Sequence, residues 1–461
     1  MSAFLSVLSA IFWGLVVLSL LVFIHEAGHY VAARAFGVRV TEFMLGLPCR
    51  WRLSRKSKKV GTEIGVTPVL LGGYNRICGM EPFEEKNLAR ILECVQKHGR
   101  IETKALAEEL SISEDEALAG LATLADWASV RPYYDAEKGE KPAQKDWPAA
   151  FETQARDASG LTEFDRGHDF SKEGATKSGS PRELGCSAEE FLNREKSHTY
   201  LGMGFIKRFV MLVAGPLVNI VFAFVVVAGA FMVTGISVAS TEPVLGAVSD
   251  GSYAAVSGLS AGDRVERVGE TEVDSWSTLV AAMKPYLEGG VDFSMLVERN
   301  GAEVEVNIDL PDGQNCDLLG ISSQVKVYHP NIGEACGLTV RYVQTVASYV
   351  VKLIIPQQTM EVLNESTSIV GISVMASQAA QVGISSLVLL AASISMSLGF
   401  MNLLPIPPLD GGKILIELIQ LVLRRQLSLK AQNIISYIGL AFFLFVFIVV
   451  LKNDIVRYVI G

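Results

Sequence analysis

Residues 4–29, from Phe4 to His29, read FLSVLSAIFWGLVVLSLLVFIHEAGH, and this stretch decides what kind of chain follows. Residues 4–24 carry no charge, and in a helix they rise about 30 Å, the thickness of a bilayer's hydrocarbon core, so a first transmembrane helix is predicted. A signal peptide places positive charge before its apolar run and a small-residue cleavage site after it. Here the first Lys or Arg is Arg34 and the run ends in His25 and Glu26, so the segment is expected to stay attached. Positions i and i+4 share one helical face, so His25 and His29 can reach a single metal ion while Glu26 is angled toward a water beside it. Two histidines and a glutamate at the end of an apolar helix are costly in a membrane and persist there mainly for function.

The chain of 461 residues is 50% hydrophobic and 19% charged, with a net charge of −9. That composition excludes a disordered chain and an ordinary soluble enzyme. The acidic balance speaks against nucleic acid as a partner. Further spans are predicted at 206–234, 384–404 and 434–451, giving an α-helical multi-pass protein with four transmembrane helices. Arg34, Arg39, Arg50, Arg52 and Lys56 follow the first span, Lys207 and Arg208 open the second, and Arg424, Arg425 and Lys430 lie between the last two. By the positive-inside rule these loops are cytoplasmic, so both termini and the stretch 236–345 are extracytoplasmic. The six cysteines, Cys49, Cys78, Cys94, Cys186, Cys316 and Cys336, form no CxxC pair, and only Cys316 and Cys336 fall in the exterior stretch.

The expected organisation is residues 1–60, the first span with HEAGH and a basic cytoplasmic segment; 61–83, a Gly-rich hairpin at the membrane, turning at Gly72 and Gly73; and 84–200, a polar cytoplasmic insertion. Within the insertion, 88–134 has the cadence of three short helices and a strand pair, resembling a winged helix, and 135–180 reads as a flexible linker. Glu114, Asp115 and Glu116 open the third of those helices and would repel phosphate, so a protein-contact or regulatory module is expected there. The second span occupies 201–236, a connecting segment 312–383, the third span 384–412, and a cytoplasmic loop with the fourth span 413–461.

A hydrolytic zinc takes three protein ligands and keeps one open position. Asp410, in the segment Asn402–Gly412 (NLLPIPPLDGG), is the best remaining carboxylate, because it follows the third span on the side where HEAGH ends. The prolines there break the helix, and unwound backbone at membrane depth is tolerated where it lines a polar cavity. HEAGH, the Gly-rich segment after it, AGPLVN (Ala214–Asn219) and NLLPIPPLDGG together resemble the site-2 protease family of intramembrane zinc metalloproteases, in particular bacterial regulator-of-sigma-E proteases. The resemblance covers the membrane core and the outer domain but not the 84–200 insertion, and Lys413 stands where a His is expected after Asp-Gly-Gly. It implies one Zn²⁺ held by His25, His29 and Asp410, with Glu26 as the general base. It links Asn402, Asn219 and Pro216 to substrate handling, and gives the Gly72-Gly73 hairpin a free edge that holds unwound substrate as an added strand. For Gly215 and Pro216 a second reading stands beside this one, in which they loosen and kink a helix for packing.

Residues 242–311, containing Gly258-Leu-Ser-Ala-Gly-Asp263, resemble a PDZ (α+β) domain, which implies capture of peptide C-termini or sizing of substrates already trimmed outside. Ser366–Gln378 (STSIVGISVMASQ) resembles a family segment that precedes the third span. The resemblance implies a bacterial cytoplasmic-membrane enzyme of regulated intramembrane proteolysis, acting on single-span proteins such as anti-sigma factors or remnant signal peptides. A non-catalytic membrane sensor or scaffold is the rival reading, against which the intact Glu26 counts. A transporter, suggested by the Gly and Pro breaks at 214–219 and 402–412, lacks visible inverted repeats.

Overall fold

The computed structural model describes residues 2–70, 72–81, 86–142, 146–311, 318–425 and 427–460. They form two compact units, Met1–Val227 with Thr339–Gly461, and Ala228–Leu338.

In the first unit the apolar run continues through HEAGH without a break as helix α1 (Ser2–Ala35). Strands β1 (Val40–Leu45), β2 (Leu53–Lys56), β3 (Glu63–Val66) and β4 (Gly73–Ile77) follow. They form one sheet in the order β2-β3-β1-β4, with β1 parallel to β3 and antiparallel to β4. The hairpin expected over 61–83 therefore does not form: β1 lies between its two arms. Val40, Phe43 and Met44 supply the reason, being an apolar set hidden in a segment read as merely basic, and they are buried in the sheet's centre. β4 remains an edge strand.

The insertion builds α2 (Leu88–His98), β5 (Arg100–Glu102), α3 (Thr103–Leu110), α4 (Glu114–Asp126), β6 (Val130–Tyr133), β7 (Ala150–Thr153) and α5 (Ala188–Lys196). Leu88, Ile91, Leu92 and Val95 give α2 one apolar stripe at helical spacing, packed with Leu106, Leu121, Leu124 and Phe151. The acidic first turn of α4 suits the positive end of its dipole, behind a cap in which Ser113 accepts from the Glu116 amide. The three strands pair antiparallel in the order β5-β7-β6.

β7 overturns the flexible linker expected over 135–180, of which 143–145 lie outside the described residues. The remainder is held mainly by charge, with Phe164 adding a small apolar contact to Cys78 and Ala128. Arg39, just after α1, donates to both Asp165 oxygens at 2.7 and 2.8 Å and to Glu195 at 2.8 Å, and Arg156 donates to the other Glu195 oxygen at 2.7 Å. All four side chains are buried, which polar composition alone does not announce.

Helix α6 (Phe205–Thr234) carries Pro216 inside it. The second unit then contains β8 (Ile236–Ala239), β9 (Leu245–Val248), α7 (Tyr253–Val256), β10 (Arg264–Val268), β11 (Thr271–Glu272), α8 (Trp276–Gly289), β12 (Phe293–Arg299), β13 (Ala302–Ile308), β14 (Ile321–Ser323) and β15 (Val325–Tyr328). A sheet β11-β10-β12-β13 encloses a core of Val265, Val268, Leu279, Met295, Val297 and Ile308. β14 pairs with β9 and β15 with β8, so the unit runs past the expected boundary at 311. Cys316, and with it the question of pairing to Cys336, lies outside the described residues.

The remaining helices are α9 (Ile332–Lys352), α10 (Pro356–Glu365), α11 (Ile369–Val382), α12 (Ile384–Asn402), α13 (Asp410–Leu423) and α14 (Leu429–Ile455). Four helices among the described residues are long and apolar enough to cross a membrane: Phe4–Ala35, Phe205–Thr234, Ile384–Asn402 and Lys430–Tyr458. α9 and α10, bent by 117°, would make a fifth span if they act as one. The expected connecting segment 312–383 thus contains helices. α11 packs along α1: Ser9 and Ser377 share a hydrogen bond at 2.8 Å, and a Cβ on Gly14 would collide with Ser373. Asp454 of α14 accepts from the Ser368 and Gly371 amides at the start of α11, where a helix dipole favours a carboxylate.

Candidate metal centre

One turn apart on α1, the His25 and His29 rings sit edge to face with centroids 4.8 Å apart. Their Nε2 atoms are 3.2 Å from each other. Asp410, the first residue of α13, brings Oδ2 to 3.1 Å from His25 Nε2 and 3.2 Å from His29 Nε2. Four ligands placed tetrahedrally around zinc at about 2.0 Å have edges of roughly 3.3 Å. Three donors 3.1–3.2 Å apart, two imidazoles and one carboxylate, therefore match three corners of that polyhedron, and the residues fit the metal.

Each histidine is oriented from behind. His29 Nδ1 lies 2.8 Å from the Met211 carbonyl of α6, so Nδ1–H donates there and Nε2 keeps its lone pair for a metal. His25 Nδ1 lies 3.4 Å from the buried Asn219 side chain, whose Oδ1 has no partner. Rotating that amide puts Oδ1 on the Nδ1–H, satisfies both groups and leaves His25 Nε2 facing Asp410. Asn219 is fixed in turn through its carbonyl, which accepts from Ser395 of α12 at 3.0 Å.

Glycines permit this closeness. A Cβ on Gly215 would lie 2.3 Å from His29 Nε2, and one on Gly28 would lie 2.5 Å from the Ala214 carbonyl. α1 and α6 thus meet backbone to backbone at the centre, which is the packing reading of AGPLVN. The Pro216 carbonyl lies where a Cβ on Gly399 of α12 would meet it at 2.9 Å. Gly411 and Gly412 sit against the carbonyls of Leu403 and Leu404 and the backbone of Pro407, so the proline turn folds onto the start of α13 and aims Asp410 inward. Glu417, a later turn of α13, accepts from Tyr200 and pairs with Arg208 of α6, pinning α13 to α6.

Asn75 of β4 donates to the Glu26 carbonyl at 2.5 Å and to its Oε2 at 2.8 Å. Gly73 is pressed to the same place: its Cβ would lie 3.0 Å from Val22 and 3.3 Å from Glu26 Cγ. The structure thus gathers His25, Glu26, His29, Asp410, Asn219 and Gly73. Gly72 faces Leu47 instead, and Asn402 closes α12; among the described residues no hydrogen bond joins either to the triad. Asn75, Met211 and Gly28 escaped the sequence reading, since nothing local marks them.

Comparison with known proteins agrees with this geometry. The model of peptidase family M50 matches residues 13–446. The regulator of sigma-W protease RasP of Bacillus subtilis is 25% identical over 449 residues, covering 96% of this chain and 97% of that protein. The zinc metalloprotease RasP of Geobacillus kaustophilus is 25% identical over 456 residues, with 96% and 97% covered. A probable protease, eep, of Enterococcus faecalis is 25% identical over 460 residues, with 96% and 98% covered.

Proposed function

Because the chain belongs to peptidase family M50 and is a zinc metalloendopeptidase, we propose that it cleaves the transmembrane helix of single-span membrane proteins from within the bilayer. His25, His29 and Asp410 would hold the ion, which would supply a Lewis acid for the scissile carbonyl and for an attacking water. Glu26 is the general base, placed beside them to take a proton from that water and return it to the leaving amine, with Asn75 fixing the carboxylate's direction. The observation that carries the reading is the 3.1–3.2 Å triangle of donors with Glu26 beside it on the same helix.

A helical substrate shields its own scissile bond with backbone hydrogen bonds, so it must be unwound before cutting. β4 suits that task, being an edge strand in contact with Glu26 through Asn75 and Gly73, where an extended peptide can add as a further strand. Asn402, Asn219 and Pro216 complete the proposed substrate channel; Asn219 has the additional task of orienting His25.

The basic loops orient the chain in a bacterial cytoplasmic membrane with both termini outside and the metal centre near the cytoplasmic face. The unit that contains residues 242–311 and extends through β15 serves as an exterior PDZ-like module for peptide ends, and the winged-helix-like insertion as a cytoplasmic protein contact. Single-span anti-sigma factors are the proposed substrate class, in keeping with the Bacillus subtilis relative's being a regulator of sigma-W protease; remnant signal peptides share the single-span chemistry. Cleavage of a single-span substrate in liposomes by wild type and by Glu26→Gln, each with and without a zinc chelator, tests the reading. Cutting that needs both Glu26 and zinc supports it; cutting by Glu26→Gln refutes it.

A further inference from the structure

We propose that Cys94, His98 and Glu109, in the insertion, form a second zinc site. Cys94 and His98 stand at i and i+4 on α2, and Glu109 reaches them from α3. One ligand atom from each lies within 4.8 Å of the other two. His98 Nε2 and Glu109 Oε2 are 3.3 Å apart, close to the edge of roughly 3.3 Å that a zinc tetrahedron requires. His98 Nδ1 lies 3.0 Å from the Cys94 carbonyl and donates to it, which leaves Nε2 with its lone pair toward Glu109. The His29 ring of the metal centre is prepared in the same way.

A second observation is a cavity of about 770 Å³ lined by Cys94 and Glu109 together with Pro181 and Arg182, which leaves room for an ion and its water beside these donors. Thiol, imidazole and carboxylate together are zinc's donor set; magnesium and calcium select oxygen alone. Without a metal, His98 pairs with Glu109 at 3.3 Å and the Cys94 sulfur lies 3.8 Å from His98 Nδ1; a bound ion would draw sulfur, imidazole and carboxylate onto one centre. A bound ion would tie α2 to α3 and stiffen the insertion.

Cobalt(II) loaded into the full-length protein in place of zinc tests this independently of catalysis. A sulfur-to-cobalt charge-transfer band reports only a cysteine ligand, and the His25–His29–Asp410 centre contains no sulfur. The band is expected in wild type and in Asp410→Ala, and is expected to vanish in Cys94→Ser. Because Cys94 is buried, the rim variants His98→Ala and Glu109→Gln supply the second check, each weakening the cobalt affinity about tenfold or more. A wild-type protein without the band, a band that survives Cys94→Ser, or rim variants with unchanged affinity would overturn the proposal.

Discussion

Gly215→Ala puts a methyl group where the structure has no room for one, and its effect can be worked from distances. The added Cβ would lie 2.3 Å from His29 Nε2 and 2.8 Å from both neighbouring ring carbons. Ordinary contact begins near 3.4 Å, so ring and methyl must separate by about 1 Å, whereas a metal ligand tolerates about 0.2 Å. The ring cannot swing aside without losing its 2.8 Å bond to Met211, and the helices cannot part without opening the Gly28–Ala214 contact. Ala also gains about 1 kcal/mol of helix propensity over Gly, which offsets part of an overpacking cost of about 1–3 kcal/mol, so the variant stays folded. The loss therefore falls on the metal, about 10- to 100-fold in zinc affinity, with activity falling at least in step. Chelator competition reads the affinity, and thermal unfolding in detergent confirms the fold. Gly229→Ala, on the same helix with nothing within 4 Å of its Cβ, is the control and should behave as wild type. Zinc affinity within threefold of wild type in Gly215→Ala would refute the reasoning.

Asn219→Ala removes the partner of His25 Nδ1–H and should lower zinc affinity about tenfold, while Asn219→Asp, which keeps an acceptor, should restore most of it; equal losses in both would point to packing instead. Asn75→Ala should leave zinc content unchanged and depress kcat rather than raise KM, as steady-state kinetics on the liposome substrate would show. Arg39→Met strands two buried carboxylates at a cost of about 3–5 kcal/mol, seen as faster amide exchange over 126–165; unchanged exchange would contradict it. Acid should act on the same network. Burial pushes the Asp165 and Glu195 carboxyls up, but the guanidiniums of Arg39, and of Arg156 for Glu195, overcome that and hold both below their ordinary values of 3.8 and 4.5. Groups depressed in this way stabilise the fold above those ordinary values and lose that contribution as pH falls below them, so protection over 126–165 should drop below about pH 4.

How much of this was legible depended on where the partners lie along the chain. HEAGH could be read because its three groups share one helical turn, and Asp410 because a proline-broken span ends beside it. The four spans are set by composition alone, and each begins within a few residues of its expected start, although the first runs on through HEAGH to Ala35 and the fourth to Tyr458. β1 was hidden because Val40, Phe43 and Met44 alternate imperfectly around Thr41 and Glu42; only the pairing with β3 and β4 reveals the strand. The ordered part of 135–180 was hidden for a different reason. A polar stretch normally cannot bury enough surface to offset its ordering entropy, and here paired charges substitute for apolar area. Their partners are 126 and 156 positions apart, beyond any periodicity a sequence displays.

That charged network bears on what the insertion can do. Arg34, five residues beyond His29 on α1, donates to the Phe164 carbonyl at 2.8 Å, and Arg39 holds Asp165 beside it. The insertion is thus fastened to the end of the helix that carries two ligands and the general base. Were it a lever, movement at 164–165 would be delivered to His29 through little more than one rigid helical turn. A centre whose residues must hold position within about 0.5 Å would fail under such movement rather than be tuned by it. The buried double pairing of Arg39 suits a fixed support, because breaking it leaves unpaired charge and allows no intermediate position. The insertion is therefore fastened to the end of α1 as a fixed support rather than a lever.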